Sequence, residues 1–273
     1  MLQRLARRFL SLIPVSLVRL LGRLQFRLPW LSSFINRIGQ LAVSGEGVIQ
    51  HGIGKGLRFD ASNCNPGYLM GTSEPVEQQV LAASLQPGDV FYDIGANAGF
   101  YAVIAARLVG DHGQVYAFEP TPELAERLKH NANLNGLSNL SVVEAAVCER
   151  SGSVRFASSD FHVGNSIALN PDSEWIDVKA IDLDSWAVGH PSPSVVMLDI
   201  EGSEIDALRG ALGLISENLP ILMVEVHWLG QRFIDFVESE LAPLGYSAST
   251  YDGEPLPVEP QRYHALLRPN SIS

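Results

Sequence analysis

Cysteine is nearly absent from this 273-residue sequence: only Cys64 and Cys148 occur, with neither disulfide-like nor metal-ligand spacing. No disulfide framework can be built from them, and a reducing compartment is expected. Cationic residues are also scarce, 19 against 30 acidic. The resulting formal charge of -11 disfavours nucleic acid as a partner, because phosphates would be repelled. Neither an internal repeat nor a low-complexity tract is found. The apolar run Phe9–Val18 is too short to cross a bilayer. No small-residue cleavage pattern follows it before further arginines, as a signal peptide would require. Missing too is a G-x-G-x-x-G turn, which the pyrophosphate of a dinucleotide would need. What is present, 46% hydrophobic residues over this length, suits one sizeable α/β domain plus an extension.

The cations are unevenly placed. Residues 1–40 hold seven arginines and no acid, which leaves 12 basic and 30 acidic residues, a formal -18, in the remainder. Arg19, Arg23 and Arg27 repeat at helical spacing opposite a stripe of Leu17, Leu20, Leu21, Leu24 and Leu28, and Pro14 and Pro29 divide the pattern into two short helices. Such a segment packs its leucines on the acidic domain or lies on an anionic membrane surface. The division expected is an extension over 1–47 and a domain over 48–273.

The most informative run is Val90-Phe91-Tyr92-Asp93-Ile94-Gly95-Ala96-Asn97-Ala98-Gly99. It reads as an apolar strand that ends in an acid and enters a glycine turn, followed by a helix from Tyr101 to Leu108. Gly95 and Gly99 permit backbone angles and close approaches that a Cβ would block. Amides of the following helix start would be available to a ligand carboxylate. A second acid, Glu119, closes the next apolar run, Gln114–Phe118. Two strands ending in carboxylates and separated by one helix suggest a nucleoside-bearing cofactor whose ribose hydroxyls are bound. A carboxylate just before the turn would repel pyrophosphate but suits a cationic cofactor end. S-adenosylmethionine, with an ammonium and a sulfonium and no phosphate, fits; the bland reading is an αβ unit with any ligand or none.

The rest of the chain alternates strands with helices. Short strands are expected near Val48–Ile49 and Leu57–Phe59, then a helix Glu74–Ser84 and, after Glu119-Pro120, a helix from Pro122 to about Asn135. A strand Leu140–Val143 follows. Strands Ser153–Phe156 and Ile176–Ile181 flank a long loop containing His162, Asn165 and Ser166, which either lines a site or is a solvated excursion. A strand Ser194–Leu198 ends at Asp199, a helix spans Ser203–Ile215, and a strand Ile221–Val224 leads into Glu225-Val226-His227. A helix Arg232–Leu241 and two strands, Tyr246–Tyr251 and Arg262–Leu267, complete the pattern. It predicts a Rossmann-like α/β fold: a mainly parallel sheet with helices on both faces and an antiparallel C-terminal edge pair.

The segments Asp93-Ile94-Gly95-Ala96-Asn97-Ala98-Gly99, Ala117-Phe118-Glu119-Pro120 and Leu198-Asp199-Ile200-Glu201-Gly202-Ser203-Glu204 resemble those of the FkbM family of S-adenosylmethionine-dependent methyltransferases. Glu225-Val226-His227 and Gly71-Thr72-Ser73-Glu74 also fit, and the resemblance spans roughly residues 48–270. The D-x-E-G-x-E segment is its most specific part. Two departures stand out: Met197 occupies the position where the family's fourth strand usually has lysine, and Ala145-Ala146 lacks the acid that many methyltransferases place after the third strand.

The resemblance implies a class I methyltransferase sheet and a cofactor contact set of Glu74, Asp93, Gly95, Ala96, Asn97, Gly99, Phe100, Glu119, Pro120, Ala145 and Asp199. Within it Asp93 and the Gly95–Gly99 turn hold the methionine end, Glu119 accepts both ribose hydroxyls, and adenine is held by backbone groups near Ala145. The candidate catalytic residues are Asp199, Glu201 and His227; a hydroxyl acceptor needs a base, and His227 titrates near neutrality. The same three could ligate a divalent cation, but acids and a histidine spread over two strands are a loose signal, and no metal is assigned. His227 could equally be a structural histidine, and Asp199 a helix cap. The expected function is O-methylation of a small molecule, sugar or glycolipid in the cytoplasm, with peripheral contact at the inner membrane face through residues 1–40 as a second expectation. N-methylation and a non-catalytic cofactor-binding protein are the alternatives.

Overall fold

The computed structural model describes residues 45–62, 64, 65, 67–157 and 175–270. The expected helices of residues 1–40, and His162, Asn165 and Ser166, lie outside the described residues. By internal packing the chain divides into two compact units, one ending at Pro75 and one spanning Val76–Ser273. In the first, β1 (Glu46–Val48) pairs antiparallel with β2 (Arg58–Asp60), Gly47 opposite Phe59, and a single helical turn, α1 (Gly67–Met70), follows.

The helix α2 (Pro75–Ser84) begins at this division and leads into β3 (Val90–Ile94), α3 (Phe100–Val109), β4 (Gln114–Phe118), α4 (Pro122–Leu134) and β5 (Leu140–Val143). Three strands then form a separate small sheet: β6 (Ala146–Val147), β7 (Gly152–Ala157) and β8 (Trp175–Ile181), in the order β6-β8-β7. The helix α5 (Leu183–Trp186), β9 (Val195–Leu198), α6 (Glu204–Arg209), α7 (Leu212–Asn218), β10 (Ile221–His227), α8 (Gln231–Phe236), β11 (Tyr246–Thr250) and β12 (Arg262–Pro269) complete the chain.

The main sheet has the order β11-β12-β10-β9-β3-β4-β5. Strands β10, β9, β3, β4 and β5 are mutually parallel, and β12 pairs antiparallel with both β10 and β11. This is the Rossmann-like sheet with an antiparallel C-terminal pair that the pattern predicts. Both faces are covered, as a parallel sheet requires. Along β3 the even and odd residues Phe91, Tyr92, Asp93 and Ile94 are all no more than 3% exposed. One face joins Tyr92, Ile94, Val196, Leu198, Leu222, Val224 and Val226 to helix residues such as Ile205, Leu208, Leu214 and Phe233. Each such large side chain contributes about 1.5–3 kcal/mol by its burial. After β5 the chain crosses back to the other side of β3, so the strand order reverses between β3 and β9. Ligands of open α/β sheets bind at such a switch point, beyond the carboxyl ends of the strands.

Three elements depart from expectation by more than a residue or two, two of them for a tertiary reason. The single helix expected over Ser203–Ile215 is two helices. Gly210 lies so close to the Cys148 carbonyl that a Cβ there would stand 2.2 Å from the oxygen, and the Asp184 carboxylate accepts from the Gly213 and Leu214 amides at 3.0 and 2.7 Å, capping the restart. The helix expected to reach Leu241 changes at Val237–Leu241 into a π-turn. The strand expected to stop at Val224 continues to His227, because β12 pairs with it throughout: Glu225 opposite His264, Val226 opposite Tyr263, and His227 opposite Arg262.

Candidate active site

The strand–turn–helix segment from β3 into α3 is held mainly by its own hydrogen bonds. The Gly95 and Ala96 amides both donate to the Phe118 carbonyl at 3.0 Å, and Gly99 N donates to Ala96 O at 2.8 Å. The Asn97 amide donates to Glu119 Oε2 at 2.9 Å, and the Ala98 amide to Asn97 Oδ1 at 2.7 Å. The amides of residues 95–99 thus already have acceptors within the chain. Gly95, at φ 84°, is required by packing: a Cβ would stand 2.0 Å from the Asp199 carbonyl oxygen. This contact sets the ends of β3 and β9 against each other and brings the two motifs into one place.

Asp93 is the exception in this satisfied turn. It is 3% exposed, and its Oδ2 has no hydrogen-bond partner among the described residues. Burial, then the charges of Asp199 and Glu119, push its carboxyl up to about 7, with the Ala102 amide holding it back. No cation compensates on the adjacent strand. The residue paired with Asp93 on β9 is Met197, 2% exposed. An ammonium group would satisfy Oδ2 and stabilise the ionised carboxylate, so this site fits the amino-acid end of S-adenosylmethionine.

Glu119, 5% exposed, directly follows β4. Its Oε2 accepts from Asn97 N and its Oε1 from Thr121 N, each at 2.9 Å, and the Thr121 hydroxyl donates as well. Burial raises its pKa against these donors. With three of about four lone-pair sites engaged, one remains for a ligand hydroxyl. Ala96, Phe100 and Ala145 are buried, and Pro120 is half-buried. The neighbouring Glu144 pairs with Lys129. Glu74 belongs to the first unit, at φ 42°.

The second half of the site lies at the ends of β9 and β10. Leu222, Val224 and Val226 enter the core, so alternation turns Glu225 and His227 to the other face. His227, 5% exposed, bonds through Nδ1 to Glu204 Oε1 at 2.8 Å. An ionised carboxylate can only accept, so Nδ1–H donates, and Nε2 is the nitrogen turned to the other acids. It lies 3.5 Å from Glu201 Oε2, 3.6 Å from Glu225 Oε1 and 3.7 Å from Asp199 Oδ1. Burial alone would lower the His227 pKa, but the Glu204 bond and the Asp199 and Glu201 charges outweigh it, and the net displacement is upward. The turn that allows this has Glu201 and Gly202 at φ 53° and 107°, and the Gly202 amide donates to Glu204 Oε1 at 2.9 Å. A non-glycine residue held there stores on the order of 1–3 kcal/mol, a strain found most often at functional sites.

Asp199, Glu201 and His227 therefore converge. Glu204, fully buried, is the orienting residue whose part the sequence pattern did not separate from its neighbours. A further polar group was missed altogether. Glu77 of α2, 2% exposed, accepts from the Tyr101 hydroxyl at 2.6 Å and the Tyr251 hydroxyl at 3.4 Å. His264 Nε2 lies 3.6 Å from Glu77, and its ring stacks on Tyr251. Arg262 pairs with Glu225. A first-turn glutamate is ordinarily a surface acid facing the helix dipole, so nothing local distinguishes Glu77.

Asp93, Glu119, Asp199, Glu201, Glu204 and His227 fall within the stretch matched by the family model described as the Methyltransferase FkbM domain, residues 93–248, whereas Glu77, Tyr251, Arg262 and His264 lie outside it. The chain belongs to the FkbM methyltransferase family. The hexuronic acid methyltransferase AglP of Haloferax volcanii is 26% identical over 156 residues, covering 55% of this chain and 62% of that protein. A protein-L-isoaspartate O-methyltransferase of Ignicoccus hospitalis is 36% identical over 77 residues, 28% of this chain and 36% of that one. The chain thus spans less than two thirds of the length of either relative. An FkbM methyltransferase structure from Methylobacillus flagellatus superposes with a TM-score of 0.45 at 15% identity, covering 74% of this chain and 53% of that chain. Every FkbM motif residue of the site except Glu74 lies inside the matched stretch.

Proposed function

We propose that this protein transfers the methyl group of S-adenosylmethionine to a hydroxyl oxygen of a sugar, glycolipid or other small molecule. One observation carries the reading: the buried Asp93 carboxylate at the switch point, with an unpartnered oxygen beside a turn whose own amides are engaged. A cationic amino-acid end answers that vacancy, and a phosphate does not. The cofactor supplies a methyl group on a sulfonium leaving group. Asp93 holds the ammonium, and Glu119 offers its remaining lone pair to a ribose hydroxyl. Phe100, Pro120 and Ala145 line the nucleoside.

Asp199, Glu201 and His227 receive the acceptor hydroxyl and take its proton as oxygen attacks. Orientation of that oxygen in line with the breaking bond is the protein's main contribution. The AglP likeness supports a sugar-bearing acceptor, and the arginines and leucine stripe of residues 1–40 support contact with a lipid surface.

Calorimetry with S-adenosylmethionine, its demethylated product and NAD tests the cofactor. Micromolar binding of the first two, about -8 kcal/mol, is expected. NAD binding more tightly than either would overturn the reading. Labelled methyl donor supplied with cell extract then identifies the acceptor, and label recovered on nitrogen alone would remove the O-methyl assignment.

A further inference from the structure

The spacing around His227 Nε2 does not suit hydrogen bonds. Three carboxylate oxygens, from Glu201, Glu225 and Asp199, surround it at 3.5–3.7 Å. A divalent cation sits about 2.1 Å from nitrogen and oxygen ligands, so two ligands subtending 90–120° are separated by about 3.0–3.6 Å. The observed distances, 3.5–3.7 Å, lie at the upper end of that range and just beyond it. The donor atoms of Asp199, Glu201 and His227 all lie within 4.8 Å of one another.

A second, independent feature points the same way. The His227 side chain is 4% exposed, and its Nδ1–H is fixed by a carboxylate that is itself 0% exposed, Glu204. Histidines that bind metal almost always donate their other ring N–H to a group of this kind, which fixes the tautomer and turns the lone pair of the second nitrogen toward the ion. The Asp199 and Glu201 side chains are 39% and 67% exposed, leaving an entry path from solvent.

We propose that Asp199, Glu201 and His227 bind one divalent cation that accepts both imidazole nitrogen and carboxylate oxygen, such as Mn2+, and that the acceptor hydroxyl is its further ligand. The proposal rests on the methyl-transfer reading and names how the hydroxyl is activated. The new bond forms between the acceptor oxygen and the methyl carbon, and the carbon–sulfur bond breaks with its electron pair returning to sulfur. The hydroxyl proton leaves through the carboxylate oxygens that do not contact the ion, while His227 serves as a ligand. The acceptor oxygen is thereby held by charge at the point where Asp93 and the Gly95 turn meet the end of β9.

Mn2+ titration of the full-length chain, followed by electron paramagnetic resonance and calorimetry, tests this without any acceptor. One Mn2+ per chain is expected. Glu201→Gln, on an exposed side chain that should not disturb folding, is expected to weaken it at least tenfold. Asp206→Asn, an exposed acid of α6 outside the cluster, should leave it unchanged. Absence of saturable Mn2+ binding, or equal affinity in Glu201→Gln and the unchanged chain, would overturn the proposal and leave His227 as an imidazole held among acids. Binding of the demethylated cofactor product, measured in the same samples with a chelator present, reads the methyltransferase assignment separately. If the product binds and Mn2+ does not, only the metal site falls; if the product does not bind, the methyl-transfer reading itself fails.

Discussion

Replacing Asp93 by asparagine should stabilise the ligand-free protein, and the gain should depend on pH. A carboxyl displaced from 3.8 to about 7 disfavours its ionised form in the folded state. The difference corresponds to on the order of 4 kcal/mol at about 1.36 kcal/mol per pKa unit. Asp93 is buried, so solvent screening does not reduce this greatly. The sign follows from linkage. Below 3.8 the group is protonated in both states and costs nothing. As pH rises toward 7 the unfolded chain releases the proton and the folded one resists, so stability falls progressively and the full loss is reached above about 7. Asp93→Asn removes the titration and should melt higher than the unchanged chain at pH 8.5 but nearly with it at pH 4. For a unit of this size each kcal/mol moves Tm by about 2–4 °C. Saturating cofactor product should close the gap, because an ammonium stabilises the ionised Asp93 and has less to hold in the asparagine variant. Product affinity of the unchanged chain should rise between pH 6 and 8, and that rise should vanish in the variant. A Tm difference that is the same at pH 4 and 8.5 would refute the reasoning.

Glu119→Ala should lower cofactor affinity by about 1–3 kcal/mol and also reduce stability in urea, since the Asn97 and Thr121 amides lose their acceptor; normal binding by a folded variant would show that Glu119 only braces the turn. Deleting residues 1–40 should leave cofactor binding intact, while the full-length chain should co-sediment with anionic vesicles at low salt and release as salt screens the arginines. Vesicle binding unchanged by the deletion would rule out that segment as the membrane contact.

The strands ending at Asp93, Glu119 and Asp199 were legible because each is a short apolar run closed by an acid, a local pattern that tertiary packing did not alter. The antiparallel final pair was legible for the lack of a helix between its strands. What could not be read depended on neighbours distant in sequence. Gly210 interrupts a helix-like stretch because of the Cys148 carbonyl, some sixty residues earlier. Strand β10 runs on to His227 because β12 arrives to pair with it. The convergence of Asp199, Glu201 and His227 was expected from strand order. That Glu204 would be the buried partner of Nδ1 depended on the left-handed turn at Glu201 and Gly202, which the glycine only partly signals. Met197 was visible as a departure from the family pattern. Only the register, Asp93 beside Met197, shows what it does: it leaves a buried acid without a cationic neighbour.

The position of β12 between β10 and β11 also governs how the chain matures during synthesis. Strand β11 leaves the ribosome before β12, yet its neighbour in the sheet is β12, so it has no edge to join until residues 262–269 have emerged. Until then β10 presents an unpaired edge along Leu222–His227, with Glu225 lacking Arg262 and His264 beside it. The glycine turn and Glu119 can already be in place at that stage, more than a hundred residues earlier. A nascent chain can therefore hold the glycine turn and Glu119 in place while the edge beside Glu225 and His227 awaits its last strand, and ribosome-stalled chains ending before Arg262 should expose that edge to proteases and chaperones.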